Sequence, residues 1–217
     1  MSEVFKSFNL KLAEILKSGG VGVIPTDTIY GIVGSALNKK TVEHIYKLRK
    51  RDFKKPMIIL ISSVDDLKLF GINIGLQTKI ILSKIWPGKV SVILPCPSDL
   101  PVRSPAKEGA LCEGGPCKNN KFSYLHRGAN SLAFRFPKNK KLINFIKKTG
   151  PLVAPSANWE GYKPAKTIKE AAKYFKSRIE FYIDLGTKKS LPSTLIEINR
   201  GKVALIREGA VSINAYL

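Results

Sequence analysis

An apolar run, Val21 to Ile24, gives way at once to Pro25-Thr26-Asp27-Thr28-Ile29-Tyr30-Gly31. This stretch constrains the chain more than any other. Gly19 and Gly20 end the helix predicted before it, as residues without a Cβ readily do. Two hydroxyls, a carboxylate and a phenol then follow within five residues. A chain that leaves a buried strand in this way makes a polar site at the strand end, where open α/β sheets bind ligands. The same residues could instead form an Asx or Thr turn that caps a following helix. The stretch alone leaves both readings open.

The pattern of alternating strand and helix continues. Phe5, Phe8, Leu10, Leu12, Ile15 and Leu16 predict one helix over residues 3–18. A second helix starts at Asn38 to Thr41 and ends in a run from Lys47 to Pro56. Six of those ten residues are basic. The helix macrodipole accounts for two or three cations at a helix end, not six. Here they precede a buried strand, Met57 to Ile61, where they can reach a phosphate. Ser62-Ser63-Val64-Asp65-Asp66 predicts a helix start, with helix continuing to about Ile85. Lys89 to Leu94 and Ser131 to Phe136 read as strands. Ser131, Ala133 and Arg135 share one face of the latter, and that arginine needs an acidic partner from protein or ligand. Pro137 to Lys148 predicts a basic helix whose lysines make a solvated face. Pro151 to Asn158 repeats the opening logic: an apolar strand, a proline, then small hydroxyl and amide residues. A helix to about Phe175, a strand at Phe181 to Asp184, and a hairpin around Asn199-Arg200-Gly201-Lys202 follow. A short terminal helix closes the reading.

Residues 96–128 break the pattern, with four prolines, four glycines and no period. They read as a loop insertion, either a lid over the site or a mobile addition. His126-Arg127-Gly128 at its end could bring a cation back to the site. Cys112 and Cys117 make a poor zinc motif because no second Cys or His pair follows. Three cysteines and no N-terminal apolar signal run point to the reducing cytoplasm. No apolar run approaches the ~20 residues of a membrane span. The balance of 37 basic to 16 acidic residues, a net charge of +21, points to phosphates, nucleic acid or anionic surfaces. A lysine-rich solvated surface is the plain alternative.

The inventory excludes much chemistry. With His44 and His126 as the only histidines, there is no Ser-His-Asp set or His-rich metal cluster. No Walker loop or GxGxxG follows the first strand. No residue is assigned as nucleophile or general base. What remains is a cradle of hydroxyls, one amide and cations, suited to positioning and charge neutralisation in phosphoryl or nucleotidyl transfer.

Seven segments in order then resemble the YrdC-like family of threonylcarbamoyl-AMP synthases. They are Pro25 to Gly31, the basic segment ending Lys55-Pro56, and Trp86-Pro87-Gly88. Leu132-Ala133-Phe134-Arg135, Pro155-Ser156-Ala157-Asn158, Pro192-Ser193-Thr194 and Arg207-Glu208-Gly209 complete the set. The resemblance implies an α/β fold, a twisted mixed open sheet with flanking helices and a concave basic face. It implies a single domain over residues 1–217, the short form of the family, with the insertion at about 96–128. The implied reaction joins L-threonine, bicarbonate and ATP, with Mg2+, into L-threonylcarbamoyladenylate and pyrophosphate. The product serves N6-threonylcarbamoylation of adenosine 37 in tRNA, so tRNA and a downstream transferase are implied partners. Carried over by position, Thr28, Thr26, Tyr30, Leu60, Arg135, Ala154 and Ser193 would hold threonine. Arg51, Lys55, Ser131, Ser156, Asn158, Pro164 and Arg207 would hold ATP, while Mg2+ receives no protein ligand. Arg49 stands with the ATP set, but in a register where the family carries Lys-x-Arg-Pro; Lys50 or Lys47 could take that lysine's part. Many relatives have His at the position of Leu60. The alternative is a non-catalytic module of the same fold that binds double-stranded RNA or tRNA.

Overall fold

Short runs rich in Val, Ile and Leu form strands, and asparagine or threonine starts most helices. A computed structural model describes residues 2–96 and 121–213. The strands are β1 (Glu3–Phe5), β2 (Gly22–Pro25), β3 (Tyr30–Ser35), β4 (Ile58–Leu60) and β5 (Val90–Pro95). They continue with β6 (Ser131–Arg135), β7 (Leu152–Val153), β8 (Phe181–Ile183), β9 (Thr194–Asn199) and β10 (Lys202–Arg207). The helices are α1 (Leu10–Lys17), α2 (Lys39–Arg49), α3 (Leu76–Ile85), α4 (Ser123–His126), α5 (Lys140–Thr149) and α6 (Ile168–Phe175). Asn9, Asn38, Asn139 and Thr167 cap α1, α2, α5 and α6, each side chain accepting a first-turn backbone N–H.

The strands join in the order β1-β8-β2-β3-β7-β4-β6-β5-β9-β10. Parallel pairs (β1 with β8, β4 with β6, β5 with β9) mix with antiparallel ones. The sheet is therefore mixed, and helices cover it on both sides. Val23, Ile32, Ile59, Phe134, Val92 and Ile196 point into the larger core. Ile24, Val33, Leu60 and Leu152 point the other way, against α1 and α5. This is the period-two rule of a strand applied to a sheet buried on both faces.

The structure corrects several local expectations. Residues 3–18 are not one helix: Glu3–Phe5 pair in parallel with β8, and α1 begins only at Leu10. Sheet pairing overrides the helical spacing of Phe5 and Phe8. The helix expected from Ser62 to Ile85 is a 3-10 turn, Val64–Phe70, closed by Gly71 in the left-handed region, followed by the separate α3. The described residues after Gly209 form bends, not a helix. The end of the expected insertion, Ser123–His126, is the helix α4, with Tyr124, Leu125 and His126 buried. The lid reading, Cys112 and Cys117 fall outside the described residues.

Candidate active site

The opening motif is a hairpin tip. β2 and β3 run antiparallel with Pro25 opposite Tyr30, so Thr26 to Ile29 form the turn between them. It caps no helix. Thr26 Oγ1 donates to the Ile29 carbonyl at 2.7 Å and lies 3.0 Å from Thr28 Oγ1. Gly31 permits close approach: a Cβ there would meet Pro155 O at 3.3 Å and Ala154 O at 3.7 Å. That approach brings the tip beside Pro155-Ser156, and Gly31 bridges to Ser156.

Arg135 reaches this tip from β6. Its Nη1 donates to Thr28 Oγ1 at 2.9 Å, and its Nη2 lies 3.0 Å from Asp27 Oδ1. The second contact is an ion pair off the hydrogen-bond axis, so Asp27 Oδ1 and Arg135 Nε keep no hydrogen-bond partner. Arg135 is 5% exposed. Burial pulls its pKa down, and Asp27 opposes that shift. The acidic partner that the sequence demanded is thus Asp27, which had not been singled out as a site residue. Leu60 is opposite Arg135 in register but fully buried in the smaller core. Ala154 is half-buried, and its N–H donates to the Ile58 carbonyl. Tyr30 turns away: it lies in the larger core, and its hydroxyl donates to Gly186 O at 2.7 Å.

Ser193 arrives through parallel pairing. Val92 faces Phe134, which sets Ser91 across from Arg135, and Ser91 pairs with Leu195 on β9. Ser193 Oγ and Ser91 Oγ are 2.8 Å apart. Ser91 was missed, although a serine inside an apolar strand was a visible irregularity. Arg207 Nη2 donates to Ser193 O at 2.9 Å. Ile58, Ala133, Ile93 and Glu197 form one half-buried row across β4, β6, β5 and β9, on the face that carries Arg135. Ser131, at the start of β6, lies on that face and pairs with Pro95.

The cations gather where α2 leads into β4. Arg49 is 2% exposed. Its Nε donates to Asn158 O at 3.1 Å and its Nη2 to Ser156 Oγ at 3.2 Å. Burial, then neighbouring Arg51, pulls its pKa down to about 10, against Glu160 and Tyr46. It remains charged at neutral pH, and its Nη1 has no partner. Arg51 donates to the carbonyls of Lys55 and Pro56. Glu160 accepts from Lys55 Nζ at 2.9 Å and lies 3.9 Å from Arg51 Nη1. Nothing in the sequence pointed to Glu160. Lys50 caps α2 in the left-handed conformation with its ammonium 3.9 Å from the Trp159 ring centroid. Pro164 lies on the adjacent segment, held where Ala165 N donates to Ala157 O.

Direct contacts therefore join Thr26, Thr28 and Arg135; Arg49, Ser156 and Asn158; Arg51 with Lys55; and Ser193 with Arg207. The register sets Arg135, Ser91 and Ser193 toward one end of a sheet face and Ser131 with the Arg51–Lys55 turn toward the other. Two hollows, of about 1070 and 370 Å³, are lined by none of these contacting residues, although Glu197 of the half-buried row lines the larger. Among the described residues no three acidic, histidine or cysteine side chains cluster to hold a metal. No helix among them is long and apolar enough to cross a membrane.

Known proteins resemble the chain throughout its length. The family model Sua5_yciO_yrdC, described as telomere recombination, matches residues 14–209. A Methanocaldococcus jannaschii relative is 30% identical over 208 residues, covering 94% of this chain and 88% of its own. The threonylcarbamoyl-AMP synthase of Pyrococcus abyssi is 25% identical over 93% of this chain. That of Bacillus subtilis is 28% identical over 92%. The chain spans only about half of these last two, 54% and 53%. The crystal structure of E. coli YciO superposes over 100% of both chains with a TM-score of 0.79 and 19% identity. P. abyssi Sua5 complexed with L-threonine superposes over 96% of this chain and 58% of its own, with a TM-score of 0.78 and 23% identity. Both structural likenesses speak to fold.

Proposed function

The chain belongs to the Sua5, YciO and YrdC family, and from that premise we propose that it makes L-threonylcarbamoyladenylate from L-threonine, bicarbonate and ATP. The observation that carries the reading is Arg135, a buried guanidinium bonded to Thr28 on the sheet face that carries the half-buried row. A buried cation is costly unless it meets an anion, and its one described carboxylate is Asp27, held off the hydrogen-bond axis. A threonine carboxylate supplies the missing geometry. The names of the relatives from P. abyssi and B. subtilis support the same reading.

In this reading Arg135, Thr28 and Ser193 orient threonine, with Thr26 shaping the tip and Leu60 and Ala154 forming the wall. Tyr30 acts at one remove, by fixing the Leu185–Gly186 segment. The threonine amine attacks the carbon of bicarbonate, and loss of water gives the carbamate. One carbamate oxygen then attacks the α-phosphorus, the bond to the bridging oxygen breaks, and pyrophosphate leaves. Arg49, Arg51 and Lys55 neutralise the departing charge. Ser156, Asn158, Ser131, Pro164 and Arg207 line the nucleotide. The orphaned Nη1 of Arg49 fits a phosphate oxygen. Mg2+ would supply further charge neutralisation at the phosphates beside Arg49, Arg51 and Lys55, a role that needs few protein ligands. The adenylate then passes to a transferase acting on adenosine 37 of tRNA.

The test is incubation of the chain with ATP, labelled bicarbonate and L-threonine. Threonine-dependent pyrophosphate release with label in an adenylate is the expected result. A non-catalytic RNA-binding module would release none, and an enzyme for another amine would ignore threonine.

A further inference from the structure

We propose that Arg127, which the family motifs do not include, binds the terminal phosphates of the nucleotide; this rests on the synthase reading. Arg127 closes α4 in the left-handed conformation, four residues before β6 begins. Its guanidinium carbon lies 4.5 Å from the Tyr46 ring centroid and 5.3 Å from that of Phe53. These ring contacts leave two of the guanidinium's edge donors unspent. Its Nε and Nη2 are buried, and among the described residues neither has a hydrogen-bond partner. Buried donors without acceptors are costly, and a charged fork of this shape matches phosphate.

Placement agrees with chemistry. Tyr46 donates through its hydroxyl to Lys55 O at 3.0 Å, and Arg51 Nε donates to that same carbonyl at 3.0 Å. Arg127 therefore stands over the ring whose hydroxyl reaches the Arg51–Lys55 turn. β4 and β6 run parallel with Ile58 opposite Ala133, so Pro56, two residues before β4, lies level with Ser131 at the start of β6. The segment Arg127 to Asn130 and the segment Arg51 to Lys55 thus meet at one end of the sheet. Burial raises the pKa of Tyr46, while a hydrogen bond with Arg127 and then the charges of Arg127, Arg51 and Arg49 lower it. Glu160 faces Lys55 and Arg51, and among the described residues no carboxylate pairs with Arg127.

The division of phosphates follows from the reaction. The α-phosphate must meet the carbamate on the Thr28–Arg135 side. Arg135 is four residues along β6 from Ser131, about 13 Å of strand. The cationic end, which includes Arg127, is the remote one, so it faces the phosphates that leave as pyrophosphate.

The experiment is calorimetric titration of the full chain with inorganic pyrophosphate, a non-hydrolysable ATP analogue, AMP and L-threonine, for wild type, Arg127→Gln and Arg127→Lys. Arg127→Gln is expected to weaken pyrophosphate and the ATP analogue about tenfold or more, as loss of a charged hydrogen bond does. AMP and threonine should stay within about twofold, because a group reaching only the terminal phosphates leaves the rest of the ligand set in place. Arg127→Lys should recover part of the loss, keeping the charge without the fork. Unchanged pyrophosphate affinity in Arg127→Gln overturns the proposal. So does an equal loss for AMP and threonine, or pyrophosphate losses that track a lowered Tm in both variants, since those mark a stacking role. Wild type that binds pyrophosphate and ATP but shows no threonine-dependent turnover refutes the synthase reading and leaves Arg127 assigned. Wild type that binds no polyphosphate refutes both.

Discussion

Arg135 and Asp27 are an ion pair at 3.0 Å whose side chains are 6% and 8% exposed. Removing one partner strands the other charge, at a cost of about 3–5 kcal/mol. Asp27→Asn should therefore lower unfolding free energy by about that amount, measured by urea denaturation. A change within about 0.5 kcal/mol, typical of surface sites, would show that solvent or another group compensates the arginine. Arg135→Ala should weaken threonine binding far more than ATP binding, because Arg135 lies at the far end of β6 from the Arg51–Lys55 turn. Equal losses would contradict the assignment. Gly209 shows a different constraint. A Cβ there would meet the backbone of Pro192, Ser193 and Thr194, with Ser193 C and Thr194 N at 2.6 Å. Ala210 N also donates to Pro192 O at 2.8 Å. Gly209→Ala must push Ser193 away from Ser91 and Arg207, and should impair threonine use more than its effect on Tm would explain. Wild-type activity in that variant would mean that the backbone yields without moving Ser193.

At the scale of elements, the turn from α2 to β4 is held by a carboxylate from a distant loop. Glu160 accepts from Asp52 N at 2.7 Å and from Lys55 Nζ at 2.9 Å, which holds its pKa below the usual carboxylate range, the backbone bond first. Phosphate must compete with that carboxylate for Lys55 and Arg51. Glu160→Gln should tighten ATP-analogue binding about two- to fivefold at low salt, the worth of an exposed ion pair. The sign with pH follows from the depressed pKa. The clamp is present above the ordinary carboxylate pKa of about 4.3 and is lost as pH falls through the lower folded value. The gap between variant and wild type should therefore close in acid; a gap that persists there would assign it to something other than the charge. The starts at Asn38 and Thr167 were legible because those residues carry their own caps, whereas α5 starts after its Asn139 cap and not at the expected Pro137. β1 was not legible, because only its parallel partner β8 makes Glu3–Phe5 a strand. Glu160 was invisible for the same reason: its partners lie 105 and 108 residues away.

Across the whole molecule, the sequence displayed the motifs in order but not the crossovers that gather them. Hydroxyls at Thr28, Ser156 and Ser193 were readable as strand-end chemistry. That Ser91 would stand across from Arg135 required knowing that β5 lies between β6 and β9. The net charge of +21 was equally readable, yet the site cluster uses few of its cations. Lys140, Lys141, Lys147 and Lys148 lie exposed on α5, away from Arg51 and Lys55 in the contacts described. If that helix meets an RNA backbone, each phosphate contact contributes nearly one unit to the slope of log affinity against log salt. Replacing the four lysines with glutamine should then flatten the slope for duplex RNA by about three to four units. Threonine-dependent pyrophosphate release should be unaffected, since none of the four belongs to the site. An unchanged slope would make α5 a solvated face. A lost adenylate activity would mean that this surface and the site are one, and that the charge serves the reaction itself.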